Sequence, residues 1–136
     1  MEIKELLKQA NEASKKAYCP YSHFHVGAAL VCEDGSIITG ANIENRSFSL
    51  TICAERSAIV KAHSLGKTKF KALAISCPDS ETPVSPCGAC RQVISEFVDA
   101  DFPIYFCGSN PDDYVATKMD KLLPHDALHN LKEELK

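Results

Sequence analysis

Apolar side chains at Ile3, Leu6, Leu7 and Ala10 recur at three- and four-residue intervals. That is the period of a helix with one buried face, and it predicts an amphipathic helix over residues 2–17. Farther on, the apolar stretches Val26–Cys32 and Ser36–Ile43 flank Glu33-Asp34-Gly35, the pattern of two strands joined as a hairpin. A second helical pattern covers 53–65 and ends near Gly66. Phe70–Cys77 is a short apolar run of buried-strand type, and residues 78–86 form a loop rich in proline, serine and acid. A helix over 88–98, a strand over Phe102–Cys107, a turn over 108–113 and a strand over Tyr114–Lys118 follow. Leu128–Leu135 predicts a last helix whose charges form a solvated face.

Helices interspersed among five predicted strands imply an α/β fold, a sheet with helices on both faces, that is, a three-layer αβα sandwich. The first two strands are antiparallel. The strands on either side of helix 88–98 need a crossover and run parallel, so the central five-stranded sheet is mixed. Repeats, low-complexity segments and linkers are absent, which predicts a single domain over 1–136.

Composition narrows the function classes. Apolar content is 45% and charged content 24%, ordinary for a soluble globular chain. A net charge of −3 without clustered lysine and arginine disfavours a nucleic acid polymer as partner. No apolar run reaches the ~20 residues of a membrane span, and the first residues lack the apolar core of a secretory signal. Seven cysteines, an odd number, argue for a reducing compartment and a cytoplasmic location rather than a disulfide framework. Cys32, Cys77 and Cys107 end apolar runs and read as small core residues, and Cys19, before a proline, reads as a loop residue.

The remaining cysteines carry the chemistry. Cys53-Ala54-Glu55 opens one predicted helix, and Pro86-Cys87-Gly88-Ala89-Cys90 opens another. Residues three apart share a helix face, so Cys87 and Cys90 can grip one ion. Helix N-termini favour thiolate, the ligand form. Three cysteines are one short of a closed structural zinc shell, and a catalytic zinc keeps that fourth position for water. Glu55 is placed to handle the protons of such a water. Three thiolates on Zn²⁺ leave one excess negative charge. Arg56 either offsets it by hydrogen bonding to the sulfurs or is a solvated surface arginine. Two other readings stay open at this point. One is a non-catalytic structural zinc module completed by a histidine or another cysteine. The other is a redox pair at Cys87 and Cys90. His23 and His25, alternating around Phe24, and His63, far along its helix, read as non-metal residues.

Cys53-Ala54-Glu55 and Pro86-Cys87-Gly88-Ala89-Cys90-Arg91-Gln92 resemble the zinc deaminase signature in its three-cysteine form. The run from Ala17 to Leu30 is similar to the amino-terminal segment of the small homotetrameric cytidine deaminases. Gly40-Ala41-Asn42-Ile43-Glu44-Asn45 resembles their ribose-binding segment. The similarity extends from about residue 5 to Pro124.

This resemblance implies one Zn²⁺ per chain on Cys53, Cys87 and Cys90, activating a water that attacks C4 of the pyrimidine. Glu55 takes the water's proton and delivers protons to N3 and the departing ammonia. Cytidine or deoxycytidine then becomes uridine or deoxyuridine, as in pyrimidine salvage. The resemblance further implies that Phe24 packs near sugar and base, that Asn42 and Glu44 hydrogen-bond the ribose, and that the Ala54 backbone meets the base edge. Core packing for Phe24 and a polar strand exit for Asn42 and Glu44 are the competing readings. A homotetramer with active sites shared between subunits is also implied.

Two stretches depart from the family pattern. Ala127 stands where an aromatic lid is usual, and Arg46-Ser47-Phe48 replaces small residues and a tyrosine. A deaminase of another small aminopyrimidine, such as a nucleoside antibiotic, is the near rival, and Asn42 and Glu44 argue against it. A tRNA adenosine deaminase is disfavoured by Cys53 in place of histidine and by the lack of a basic surface.

Overall fold

The computed structural model describes residues 2–126 and 131–132. Its elements are helix α1 (Ile3–Ser14), strands β1 (Gly27–Cys32) and β2 (Ile37–Ala41), helix α2 (Ala54–Ser64), strand β3 (Phe70–Ser76), helix α3 (Gly88–Phe97), strands β4 (Pro103–Cys107) and β5 (Tyr114–Lys118), and a short helix α4 (Met119–Leu122). The sheet order is β2-β1-β3-β4-β5. β1 pairs antiparallel with β2 and β3, β3 pairs parallel with β4, and β4 pairs antiparallel with β5. The mixed five-stranded sheet is therefore the one expected from the pattern.

Strand alternation sorts the core into two layers. Ala28, Leu30 and Cys32 of β1, with Leu73 and Ile75 of β3 and Ile104 of β4, meet Ala54, Ala58, Ile59 and Ile94 of α2 and α3. Their neighbours Ala29, Ala74 and Cys107 point the other way, onto Leu6, Leu7 and Ala10 of α1. Cys32, Cys77 and Cys107 are core residues as read. Cys19 lies outside the regular elements as expected, yet it is buried too.

Close backbone approach seats the site-bearing helix. A Cβ on Gly40 would lie 2.5 Å from the Ala58 nitrogen and 2.7 Å from the Ala54 carbonyl oxygen. Only glycine lets α2 lie that near β2, and this contact fixes the start of α2.

Boundaries differ from the pattern where side chains compete with the backbone. The first helix stops at Ser14, whose hydroxyl donates back to the Asn11 carbonyl at 2.5 Å. β2 stops at Ala41 because the next side chain, Asn42, turns back to the chain around Val26. The 3₁₀ turn Phe48–Leu50 and α4 were not foreshadowed by periodicity, being too short to show one. Of the expected last helix only Leu131 and Lys132 are described, both helical. The rest of it, and Ala127, lie outside the described residues. No described helix is long and apolar enough to cross a membrane.

Candidate active site

Two helices start side by side at the edge of the larger core. Cys53 is the N-cap residue of α2 and Cys87 that of α3, both in extended backbone, and Cys90 lies in the first turn of α3. The three sulfurs lie within 4.8 Å of one another, with Cys53 Sγ 3.9 Å from Cys87 Sγ. Tetrahedral zinc with Zn–S bonds of about 2.3 Å sets sulfurs about 3.8 Å apart, so the cluster has the span the ion needs. Among the described residues no fourth cysteine, histidine, aspartate or glutamate joins it. Cys90 is buried, Cys53 half-buried and Cys87 exposed, which leaves the open side of the trio toward solvent.

The charges suit a cation. Cys53 is lowered to about 5, first by a hydrogen bond from Cys90 and then by Arg56, against the cost of burial. Cys90 is pushed up by that same hydrogen bond, by burial and by the charges of Glu55 and Cys53. Cys53 thus favours the thiolate and Cys90 the thiol. A divalent cation is what Cys90 needs to ionise. Arg56 Nη2 donates to Cys53 Sγ at 3.3 Å and to the Thr51 carbonyl oxygen at 3.3 Å, which places the guanidinium against the cluster.

Glu55 is 4% exposed. Burial raises its carboxyl from 4.5 to about 7, and the Cys53 charge adds to this. Its own backbone N–H, Cys90 and Arg56 oppose the rise. It lines a cleft of about 150 Å³ together with Val26, Cys53, Ala54, Ile75, Cys77, Val84, Ser85 and Cys87. Ligand pockets commonly enclose about 300–1,000 Å³, so this cleft by itself is smaller than a usual ligand pocket. A larger groove of about 500 Å³ runs along Ile59, His63, Val93 and Phe97, but no sulfur cluster borders it.

Of the other expected site residues, Ala54 lines this cleft, while Phe24, Asn42 and Glu44 are not among its lining residues. Ala54 is fully buried at the first position of α2. Phe24 is half-buried and packs on the same core cluster as Cys53 and Val84. Asn42, 7% exposed, accepts from the Val26 N–H at 2.9 Å and donates to the Phe24 carbonyl oxygen at 2.8 Å. Glu44 accepts from the backbone N–H groups of Tyr21 and Ser22 at 3.1 Å each and from the Ser22 hydroxyl. Both side chains thus anchor the segment that carries Phe24.

The histidines have other partners. His25 Nδ1 lies 2.8 Å from Asp79 Oδ2, and His63 packs against Phe70 and Phe97 with ring centroids 6.0 and 4.5 Å apart. His23 has φ +58°, so this segment is a turn rather than the extended run that strict alternation assumed.

Arg91 escaped the sequence reading. Its guanidinium donates to the Pro86 carbonyl oxygen at 2.8 Å, to Ser85 Oγ at 3.0 Å and to the Leu122 carbonyl oxygen at 3.0 Å. It ties the loop that delivers Cys87 to the end of α4. The usable signal was a cation one residue after Cys90, and one carbonyl it meets, that of Leu122, is of the kind a helix end leaves free.

Residues 1–106 match the family model described as the cytidine and deoxycytidylate deaminase zinc-binding region. A cytidine deaminase of Sporosarcina psychrophila is 51% identical over 91% of this chain and 90% of its own. A blasticidin-S deaminase of Bacillus cereus is 34% identical over 88% of each chain. The crystal structure of a cytidine deaminase from Burkholderia pseudomallei superposes with a TM-score of 0.86 at 40% identity, covering 91% of this chain and 98% of that one. The sulfur trio accordingly answers to zinc, and the chain belongs to the cytidine and deoxycytidylate deaminase zinc-binding family.

Proposed function

We propose that this protein hydrolytically deaminates cytidine and deoxycytidine to uridine and deoxyuridine, releasing ammonia. The observation that carries the reading is the buried Glu55 carboxyl, raised to about 7, lining the same cleft as two of three clustered cysteines. Cys53, Cys87 and Cys90 hold the zinc, one per chain. Zinc, when bound, supplies Lewis-acid activation of water.

The chain does the rest. Glu55, with a carboxyl near neutrality, accepts the proton of the attacking water and gives protons to pyrimidine N3 and to the departing ammonia. Its burial keeps that proton from bulk solvent. Arg56 stabilises the thiolate on Cys53 and offsets the excess charge of three sulfurs. The Ala54 backbone meets the base edge, Phe24 packs on the base and sugar, and Asn42 and Glu44 hold the ribose as well as their own chain segment. The higher identity to a cytidine deaminase than to blasticidin-S deaminase supports the nucleoside over the antibiotic.

A homotetramer with shared active sites fits the small cleft. Exposed Tyr18, Ile43 and Ile52 adjoin through isolated bridges, and exposed Tyr21 and Phe48 rings lie 6.1 Å apart. Such an apolar surface supports burial against another copy. Seven free thiols support a reducing, cytoplasmic setting, and one domain over 1–136 accounts for the fold. The test is cytidine turnover followed by ultraviolet absorbance, with zinc per chain measured on the same sample. Turnover near one zinc per chain is expected. Full turnover by Glu55→Gln overturns the mechanism.

A further inference from the structure

Six consecutive amides, from Tyr21 to Val26, carry the chain past the cleft, and five of them donate to side chains. Tyr21 and Ser22 donate to Glu44, Phe24 to Ser22 Oγ, His25 to Asp79 and Val26 to Asn42, while His23 donates to the Cys19 carbonyl oxygen. Glu44 and Asn42 follow β2 in the chain. Asp79 belongs to the loop after β3, which runs on to Val84, Ser85 and Cys87, and these three line the cleft together with Val26.

The reason for this bond lies in the sheet. β1 and β3 pair with Gly27 opposite Ser76, and continuing that register sets His25 opposite Pro78. Proline has no N–H, so the regular ladder cannot continue through it. The Asp79 carboxylate takes over: Oδ2 accepts the His25 backbone N–H at 2.7 Å and meets ring Nδ1 at 2.8 Å. These two bonds lower the Asp79 carboxyl pKa, the backbone bond most. The side chains are 41% and 42% exposed, so the pair adds little to global stability and acts locally.

We propose that Asp79 and His25 are a positioning pair that sets the separation of Val26 from Val84, Ser85 and Cys87 in the cleft, and thereby the affinity for the pyrimidine nucleoside. This rests on the reading of the cleft as the nucleoside site. That separation affects substrate and transition state alike, so the pair acts on KM and leaves kcat in place.

The test compares zinc-loaded wild type, Asp79→Ala, His25→Phe and the double variant for kcat and KM with cytidine, zinc content, and exchange of the His25 amide hydrogen. Asp79→Ala removes both bonds and is expected to raise KM about five- to tenfold, with kcat within about twofold. His25→Phe keeps the backbone bond and raises KM less. The double variant matches Asp79→Ala, because nothing remains to lose. Zinc content stays constant, and the His25 amide exchanges faster in Asp79→Ala alone among the single variants.

An unchanged KM in Asp79→Ala, multiplying effects in the double variant, or a loss of kcat and zinc with KM unmoved overturns the proposal. Slow amide exchange in Asp79→Ala overturns the clasp itself. A wild type that holds zinc but leaves cytidine untouched overturns the nucleoside reading instead, while the exchange experiment still reports on the clasp.

Discussion

Exchanging Glu55 for glutamine removes a buried carboxyl whose protonation is linked to folding. The group titrates near 4.5 in an open chain and at about 7 in the fold, chiefly because burial disfavours its charge. Between those values the native protein keeps a proton that the unfolded chain has released. Stability from this group is therefore full below about pH 4.5 and falls as pH rises to about 7. The loss saturates above that, at about 3 kcal/mol. Glutamine is similar in size and cannot ionise, so the variant lacks this loss. Any fixed difference in hydrogen bonding shifts its stability equally at every pH.

The assay is denaturant unfolding of chelator-treated wild type and Glu55→Gln from pH 4.5 to 8.5. The difference in unfolding free energy should move by about 3 kcal/mol in favour of the variant across that range. Zinc-loaded variant should meanwhile lose about 10²–10⁴-fold in cytidine turnover. A pH-independent difference, or one that moves toward wild type, refutes the claim that burial holds this carboxyl near neutrality.

Arg56→Gln removes a charge-assisted bond to Cys53 and should cost about 1.5–3 kcal/mol at the cluster, read as faster zinc release to a chelator and about tenfold or more lower turnover. Gly40→Ala drives a methyl into the α2 backbone at Ala58 and Ala54 and should destabilise by about 1–3 kcal/mol in thermal unfolding, with turnover falling as the start of α2 shifts. Phe48→Ser, on an exposed ring, should leave monomer stability within about 0.5 kcal/mol while moving the sedimentation profile toward smaller species.

The elements that sequence reveals best here are those with a period. Leu6, Leu7 and Ala10 on α1 and the alternating Ala28, Ala29 and Leu30 of β1 took their places because each face has one partner. The Cys87–Cys90 pair was equally legible, since a short spacing at a helix start states its own geometry, and Cys53 joined it through the Cys53-Ala54-Glu55 signature. What stayed hidden depends on contacts between segments distant in the chain. Neither Asp79 accepting from His25 nor Arg91 reaching Leu122 leaves a local pattern. The turn at His23 was missed for a similar reason. Its positive φ is stabilised by neighbours such as Glu44 and not by a glycine signature. Asn42 and Glu44 were singled out through likeness to ribose-binding positions, and their hold on the chain itself appeared only in three dimensions.

The cysteines that cap α2 and α3 lie on opposite sides of β3 in the chain. An unfolded polypeptide offers the metal only the Cys87–Cys90 pair, because bringing Cys53 to it requires closing the intervening loop against its entropy. β3 makes that closure, inserted between β1 and β4 with its parallel crossover complete. Metal capture is thus a late event in maturation, and tight retention becomes a readout of a finished sheet.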